Sequence, residues 1–287
     1  MAILSIDKLN KRYEKFHLKD VSLSLDKGYI MGFIGINGAG KTTTLKSMLN
    51  MVHADSGVVQ ILGKDYTDHE IELKKEIGLM FGDMQYYEKM RVKVVTDVIK
   101  RFYPNWDDAV YDDYCRKFNI DQEKKISELS QGMKAKYNLA LALSHNARLF
   151  ILDEPTSGLD PAARDGLLEI FQKLVEDGEK SILFSTHITS DLEKCADYIT
   201  YIHEGEIIAS ATKDDFIDSY KLVKGSEDQL EAEIGLRKKL IACKTNKFGF
   251  SGLMKTADCE ERDGLTIEAP TLEEIMIYYA KKESAHV

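Results

Sequence analysis

The eight residues Gly35-Ile-Asn-Gly-Ala-Gly-Lys-Thr42 have the types and spacing needed to hold a triphosphate. They fit G-x-x-x-x-G-K-[ST] in full. Gly35, Gly38 and Gly40 let the backbone curl until its amides face phosphate oxygens, and a helix starting at Lys41 adds its positive dipole end. Lys41 neutralises the β- and γ-phosphates, and the Thr42 hydroxyl is a ligand for Mg²⁺. A second run, Leu149-Phe-Ile-Leu-Asp153-Glu154, is an apolar strand that ends in two acids. Asp153, at the tip of such a strand, can hold Mg²⁺ directly or through water, and Glu154 is placed to polarise an attacking water as general base. A lone Asp-Glu pair is more simply two solvated acids, but Pro155-Thr-Ser-Gly-Leu-Asp160 follows at once. The glycine loop alone leaves kinases, GTPases and motors open.

These residues need a scaffold, and the hydrophobic pattern supplies one. Ile3 to Ile6, and Val21, Leu23 and Leu25 in alternation with polar residues, read as antiparallel strands. Asp26-Lys27-Gly28 turns into a continuous apolar run, Tyr29 to Ile34, which suits a strand buried on both faces. A helix carrying Leu45, Met48 and Leu49 follows. Residues 92–146 lack strand signals and read as helices. Two further apolar strands, Leu149 to Leu152 and Ile182 to Ser185, alternate with helices, which implies a mostly parallel sheet with right-handed crossovers. Tyr198 to Ile208 reads as a hairpin turning at Glu204-Gly205. From Lys213 the chain is more charged, with a weak strand around Leu222 and a final helix opened by the capping-box spacing of Thr271 and Glu274. The expected division is 1–212 for the main domain, with a helical insertion over 83–146, and 213–287 for a small α/β appendage.

Composition narrows the classes. The 287 residues, 44% hydrophobic and 30% charged, suit one large domain, or one domain plus a smaller appendage. The net charge of -9 argues against a nucleic-acid partner, which needs a basic footprint. No apolar run approaches the roughly 18 residues of a membrane span. The opening MAILSIDKLNKRY reads as strand, not as a secretion signal. Four scattered cysteines without a C-x-x-C pair read as reduced thiols.

The order of the motifs resembles the ATP-binding subunits of ABC transporters. Leu129-Ser-Gln-Gly-Met133 is similar to that family's signature sequence, Ser157-Gly-Leu-Asp160 to its D-loop, Ser185-Thr-His187 to its switch histidine, and Tyr13 to the aromatic that stacks on adenine. The resemblance spans roughly residues 1–212. It implies an α/β fold: a P-loop NTPase core with an N-terminal antiparallel β-subdomain, an α-helical insertion and a small C-terminal appendage. It implies ATP and Mg²⁺ as cofactors. ATP would be bound by Tyr13, Gly35, Asn37, Gly38, Ala39, Gly40, Lys41, Thr42 and Thr43, with Ser130 and Gly132 of a second subunit capping the γ-phosphate. Glu154 and His187 would be catalytic, Asp160 would be the D-loop acid, and Thr42 and Asp153 would hold the metal.

Two departures from the family pattern stand out. Gln131 and Met133 replace the usual Gly and Gln of the signature, while Ser130 and Gly132, which make the contacts, are kept. Where the family ends a strand with Gln, this chain has Gly82, followed by Asp83 and, a little beyond, Gln85. Asp83 as a metal ligand through water, or Gln85 reaching back, are the substitutes to look for. Tyr86, Tyr87 and Met90, beside Lys89 and Arg91, suit either a socket for a membrane subunit or the core of the insertion. The resemblance further implies a homodimer or heterodimer at the cytoplasmic face of the cell membrane, driving a separate transmembrane permease. The exporter branch that moves drugs, antimicrobial peptides or amphipathic peptides fits best. An importer motor is the alternative. A translation factor would need two cassettes and basic linkers, and a DNA-maintenance ATPase a long coiled coil between Gly35 and Ser130.

Overall fold

The computed structural model describes residues 1–82, 87–232, 235–260 and 264–284. The chain divides into two compact units, Met1–Ile208 and Ala209–Val287.

The first unit opens with long strands β1 (Ala2–Arg12) and β2 (His17–Asp26), paired antiparallel. Their alternating apolar residues, including Leu4, Ile6, Leu23 and Leu25, face the core. After β3 (Ile30–Ile34) and α1 (Lys41–Met48), strands β4 (Ser56–Ile61) and β5 (Lys64–Asp65) complete an antiparallel sheet in the order β2-β1-β4-β5. The chain continues through α2 (Glu70–Lys74) to β6 (Ile77–Met80).

Helices α3 (Val92–Ile99), α4 (Asp108–Lys117) and α5 (Gln131–Leu143) follow, with their own small core around Val92, Val95, Tyr111, Ile126 and Tyr137. A buried polar trio pins them together: the Thr96 hydroxyl lies 2.8 Å from the Tyr111 hydroxyl and 2.9 Å from that of Tyr137. Three hydroxyls with mutual partners avoid the penalty of a buried, unpaired polar group.

The chain then returns to the main sheet through β7 (Leu149–Asp153), α6 (Pro161–Val175), β8 (Ser181–Thr186), α7 (Thr189–Cys195), β9 (Tyr198–His203) and β10 (Glu206–Thr212). The six strands lie in the order β10-β9-β3-β8-β7-β6. Strands β9, β3, β8, β7 and β6 run parallel to one another. Every residue of β3, β7 and β8 is buried, which is why each carries an apolar run, with polar residues only at the ends of β7 and β8. The β9–β10 hairpin turns at Glu204-Gly205 with φ of +46° and +80°, the conformation that two-residue hairpins prefer.

The second unit contains α8 (Lys213–Asp218), β11 (Tyr220–Gly225), α9 (Glu227–Ala232), α10 (Leu236–Lys239), β12 (Leu240–Asn246), β13 (Gly249–Lys255), β14 (Thr266–Glu268) and α11 (Leu272–Ser284). Its four strands form an antiparallel sheet in the order β12-β13-β11-β14. Leu272, Ile275, Met276 and Tyr279 give α11 a buried face at helical spacing. The Tyr220 and Tyr279 hydroxyls meet at 3.1 Å. The capping box is present: the Thr271 amide donates to Glu274 Oε2 (2.9 Å), and the Glu274 amide donates to Thr271 Oγ1 (3.1 Å).

Candidate active site

Parallel strands present all their C-terminal ends at one edge, and the loops leaving β3, β7 and β8 meet there. The loop of residues 35–40 joins β3 to α1. Gly38 has φ of +85°, and a side chain added to it would meet nothing within 4 Å, so the loop is open on that side. Gly40, at φ +112°, is the N-cap of α1, so the helix begins directly at Lys41. The hairpin turn holds the loop from the other side, with the Gly205 amide donating to the Ala39 carbonyl (3.0 Å).

Lys41 is only 6% exposed, and its ammonium donates to the Gly35 carbonyl at 2.7 Å. Burial pulls its pKa below the ordinary lysine value, while the nearby Glu154 and Asp153 carboxylates oppose that shift. The Thr42 hydroxyl donates to Asp153 Oδ2 at 2.8 Å, and the Ser185 hydroxyl donates to Asp153 Oδ1. Glu154 occupies the left-handed region at φ +51°. For a glutamate this costs on the order of 1 kcal/mol, and such strain is characteristic of functional turns. The turn sets the carboxylate between two cationic or basic groups: Oε1 lies 3.6 Å from Lys41 Nζ, and Oε2 lies 2.8 Å from His187 Nδ1.

Lys41, Thr42, Asp153, Glu154 and His187 are thus brought together from residues far apart in sequence. Ser185 belongs with them; motif reading names it only as the first residue of the histidine motif and gives it no role. The available signal was a hydroxyl at the end of an otherwise apolar strand, two residues before His187.

The other expected positions lie on separate elements. Ser130 is exposed and caps α5, accepting from the Met133 amide at 3.2 Å, with Gly132 in the same first turn. A side chain at Gly132 would come within 3.0 Å of the Gly158 carbonyl, so the signature segment abuts the D-loop segment of its own chain. Asp160 caps α6: the Ala163 amide donates to it at 2.9 Å and, with Lys136 nearby, holds its carboxyl below the usual carboxylate range. Tyr13 is partly exposed in the β1–β2 turn, its amide bonded to the Phe16 carbonyl at 2.7 Å, and the Phe16 ring packs against Gly40. Asn37 is exposed, Ala39 buried and Thr43 half-buried. Tyr87 and Met90 are exposed and are not part of the insertion core. Asp83, Gln85 and Tyr86 lie outside the described residues.

The donor set suits the groups the loop implies. Thr42 and Asp153 offer a hydroxyl and one carboxylate within hydrogen-bond distance of each other. This is the hard-oxygen pair that Mg²⁺ accepts beside phosphate and water oxygens. The open Gly38 side, the helix N-terminus and the buried Lys41 ammonium suit a polyphosphate. Among the described residues, no helix is long and apolar enough to cross a membrane.

The sequence profile of the family described as "ABC transporter" matches residues 18–157. The Bacillus subtilis ABC transporter ATP-binding protein YtrB is 32% identical over 71% of this chain and 69% of its own. The lantibiotic transport ATP-binding protein SrtF of Streptococcus pyogenes is 32% identical over 72% of this chain and 89% of its own. The Nod factor export ATP-binding protein I of Burkholderia orbicola is 32% identical over 76% and 74%. A solved ATP-binding subunit of an ABC transporter superposes with a TM-score of 0.68 at 28% identity, covering 74% of this chain and 91% of that one. The geometry around Lys41 and the likeness along most of the chain agree: this protein belongs to the ABC transporter family, as an ATP-binding subunit that hydrolyses ATP to power transport with transmembrane components.

Proposed function

We propose that this chain is the motor of an exporter of antimicrobial or other amphipathic peptides or drugs, docked on a separate permease at the cytoplasmic face of the membrane. The similarity to a lantibiotic transport subunit and to a Nod factor export subunit supports the direction and the cargo class. In this reading residues 1–212 are the ATPase domain and residues 213–287 an accessory α/β domain. Exposed Tyr87 and Met90 are suited to receive the permease.

The observation that carries the catalytic reading is the placement of Glu154 between Lys41 and His187, beside the Asp153–Thr42 pair. Lys41, the loop amides and the start of α1 bind the phosphates of ATP, and Tyr13 stacks on the base. Asn37, Ala39 and Thr43 contribute further loop and helix contacts. Thr42 and Asp153 would hold Mg²⁺, which would offset phosphate charge. Glu154 accepts the proton of the attacking water, and His187, sharing Glu154 Oε2, fixes that carboxylate and faces the developing charge.

Two subunits pair head to tail. Ser130 and the Gly132 amide, at the N-terminus of α5, cap the γ-phosphate held by the partner's loop. The exposure of Ser130 at a helix start supports this arrangement. Asp160, capping α6, closes the same interface through the D-loop.

The test is Glu154→Gln, with ATP turnover and sedimentation measured on the same preparation. The variant should bind ATP normally, hydrolyse it roughly 10²- to 10⁴-fold more slowly, and accumulate as an ATP-bound dimer. Undiminished turnover would remove Glu154 from its role. A slow variant that stays monomeric with ATP and the permease would remove the sandwich.

A further inference from the structure

We infer that Ser185 is a positioning residue of the hydrolytic site, setting the metal-binding carboxylate of Asp153 and the backbone of Glu154 from a single hydroxyl. The inference rests on the roles proposed for those two acids.

Ser185 lies in β8 directly opposite Asp153 across the parallel β7–β8 pair, and it is fully buried. A hydroxyl in an apolar strand interior carries a desolvation cost unless it is paired. Ser185 Oγ is paired twice. It donates to Asp153 Oδ1 and accepts from the Glu154 amide at 3.1 Å, the same amide that donates to the Ser185 carbonyl at 3.1 Å. With Oδ1 held by Ser185, the plane of the Asp153 carboxylate is fixed and Oδ2 is left facing Thr42 at 2.8 Å.

The second contact acts on the neighbouring residue. Glu154 is in the left-handed conformation at φ +51°, and its amide donates to both the hydroxyl and the carbonyl of Ser185. That turn aims the Glu154 carboxylate at Lys41 and His187. Ser185, with no surface exposed, acts through Asp153 and Glu154. It determines where those two groups are held, as the outer partners of metal ligands do elsewhere.

The test compares two serines of the same strand. Ser181 is also fully buried in β8, at the opposite end, where its hydroxyl accepts from the Gly28 amide at 2.9 Å and donates to the Asp26 carbonyl at 3.3 Å. Ser185→Ala, Ser185→Thr and Ser181→Ala are purified as full chains. Their ATP turnover, the Mg²⁺ dependence of fluorescent ATP-analogue binding, and their thermal melting are then measured.

Ser185→Ala should lower kcat roughly 10- to 100-fold, leave KM for ATP at saturating Mg²⁺ unchanged, and move half-saturation by Mg²⁺ to higher concentration. Ser185→Thr, which keeps the hydroxyl, should recover most of the loss. Ser181→Ala should melt earlier yet turn over ATP at the parental rate. The inference is overturned if Ser185→Ala turns over normally with an unshifted Mg²⁺ dependence, or if Ser181→Ala loses as much kcat. A failure of the underlying reading would look different, because Glu154→Gln would then also hydrolyse ATP at the parental rate.

Discussion

The two units use β-sheet in opposite ways, and only one gathers chemistry. In the first unit, β3, β7 and β8 run parallel, so the loop of residues 35–40, the acids Asp153 and Glu154, and His187 all leave the sheet at the same edge. In the second unit, β11 and β13 are antiparallel, as are β12 and β13, and consecutive turns fall at opposite ends. Polar groups that follow strands are collected by the first arrangement and scattered by the second. Strand direction, more than composition, decides where a catalytic cluster can assemble.

This contrast can be tested by damaging each unit separately. The largest effect expected is on the stability of the second unit. Leu253, fully buried in β13, should cost about 2–5 kcal/mol when changed to Ala. Calorimetry should show an earlier transition for that unit, with ATP hydrolysis per molecule unchanged below it. A parallel loss of hydrolysis would mean the units do not divide function as their sheets suggest.

Acid should strike the first unit instead. His145 is fully buried, its ring stacked on Tyr103 at 3.9 Å, and burial pushes its pKa down to about 4. The unfolded ring takes a proton near 6.5, so between those values the unfolded chain binds more protons and stability falls as pH drops. The loss between pH 7 and pH 5 should be about 2 kcal/mol. Urea unfolding followed at both pH values, for the parent and for His145→Gln, should show the slope largely gone in the variant. The smallest effect belongs to the cap of α11: Thr271→Ala should cost about 1 kcal/mol, readable as a small drop in the melting of the second unit alone.

How much of this could be read beforehand follows the same division. The glycine loop, the acids and His187 were legible because each is a short run of consecutive residues whose chemistry depends on local spacing. Buried parallel strands added a second signal, since Tyr29 to Ile34 and Leu149 to Leu152 are apolar without interruption. The Ser185–Asp153 contact was not legible. It depends on the register between β7 and β8, and nothing in either segment states which residue will stand opposite which. The left-handed turn at Glu154 was hidden for a related reason, because glutamate carries no local preference for positive φ. In the second unit the capping box and the strand around Leu222 were visible, whereas β12 and β13 were not, because Leu240 to Asn246 lacks a clean alternation and is only half-buried. Tyr87 and Met90 suited a core or a surface equally well until their exposure was known.

The Lys41 ammonium is held by the Gly35 carbonyl of its own loop. An ammonium has three N–H donors, so this contact orients Lys41 and still leaves donors for anionic oxygens. A polyphosphate engages loop amides and ammonium together through several oxygens, which a single chloride cannot do. A loop built this way favours anions with many oxygens over simple salts.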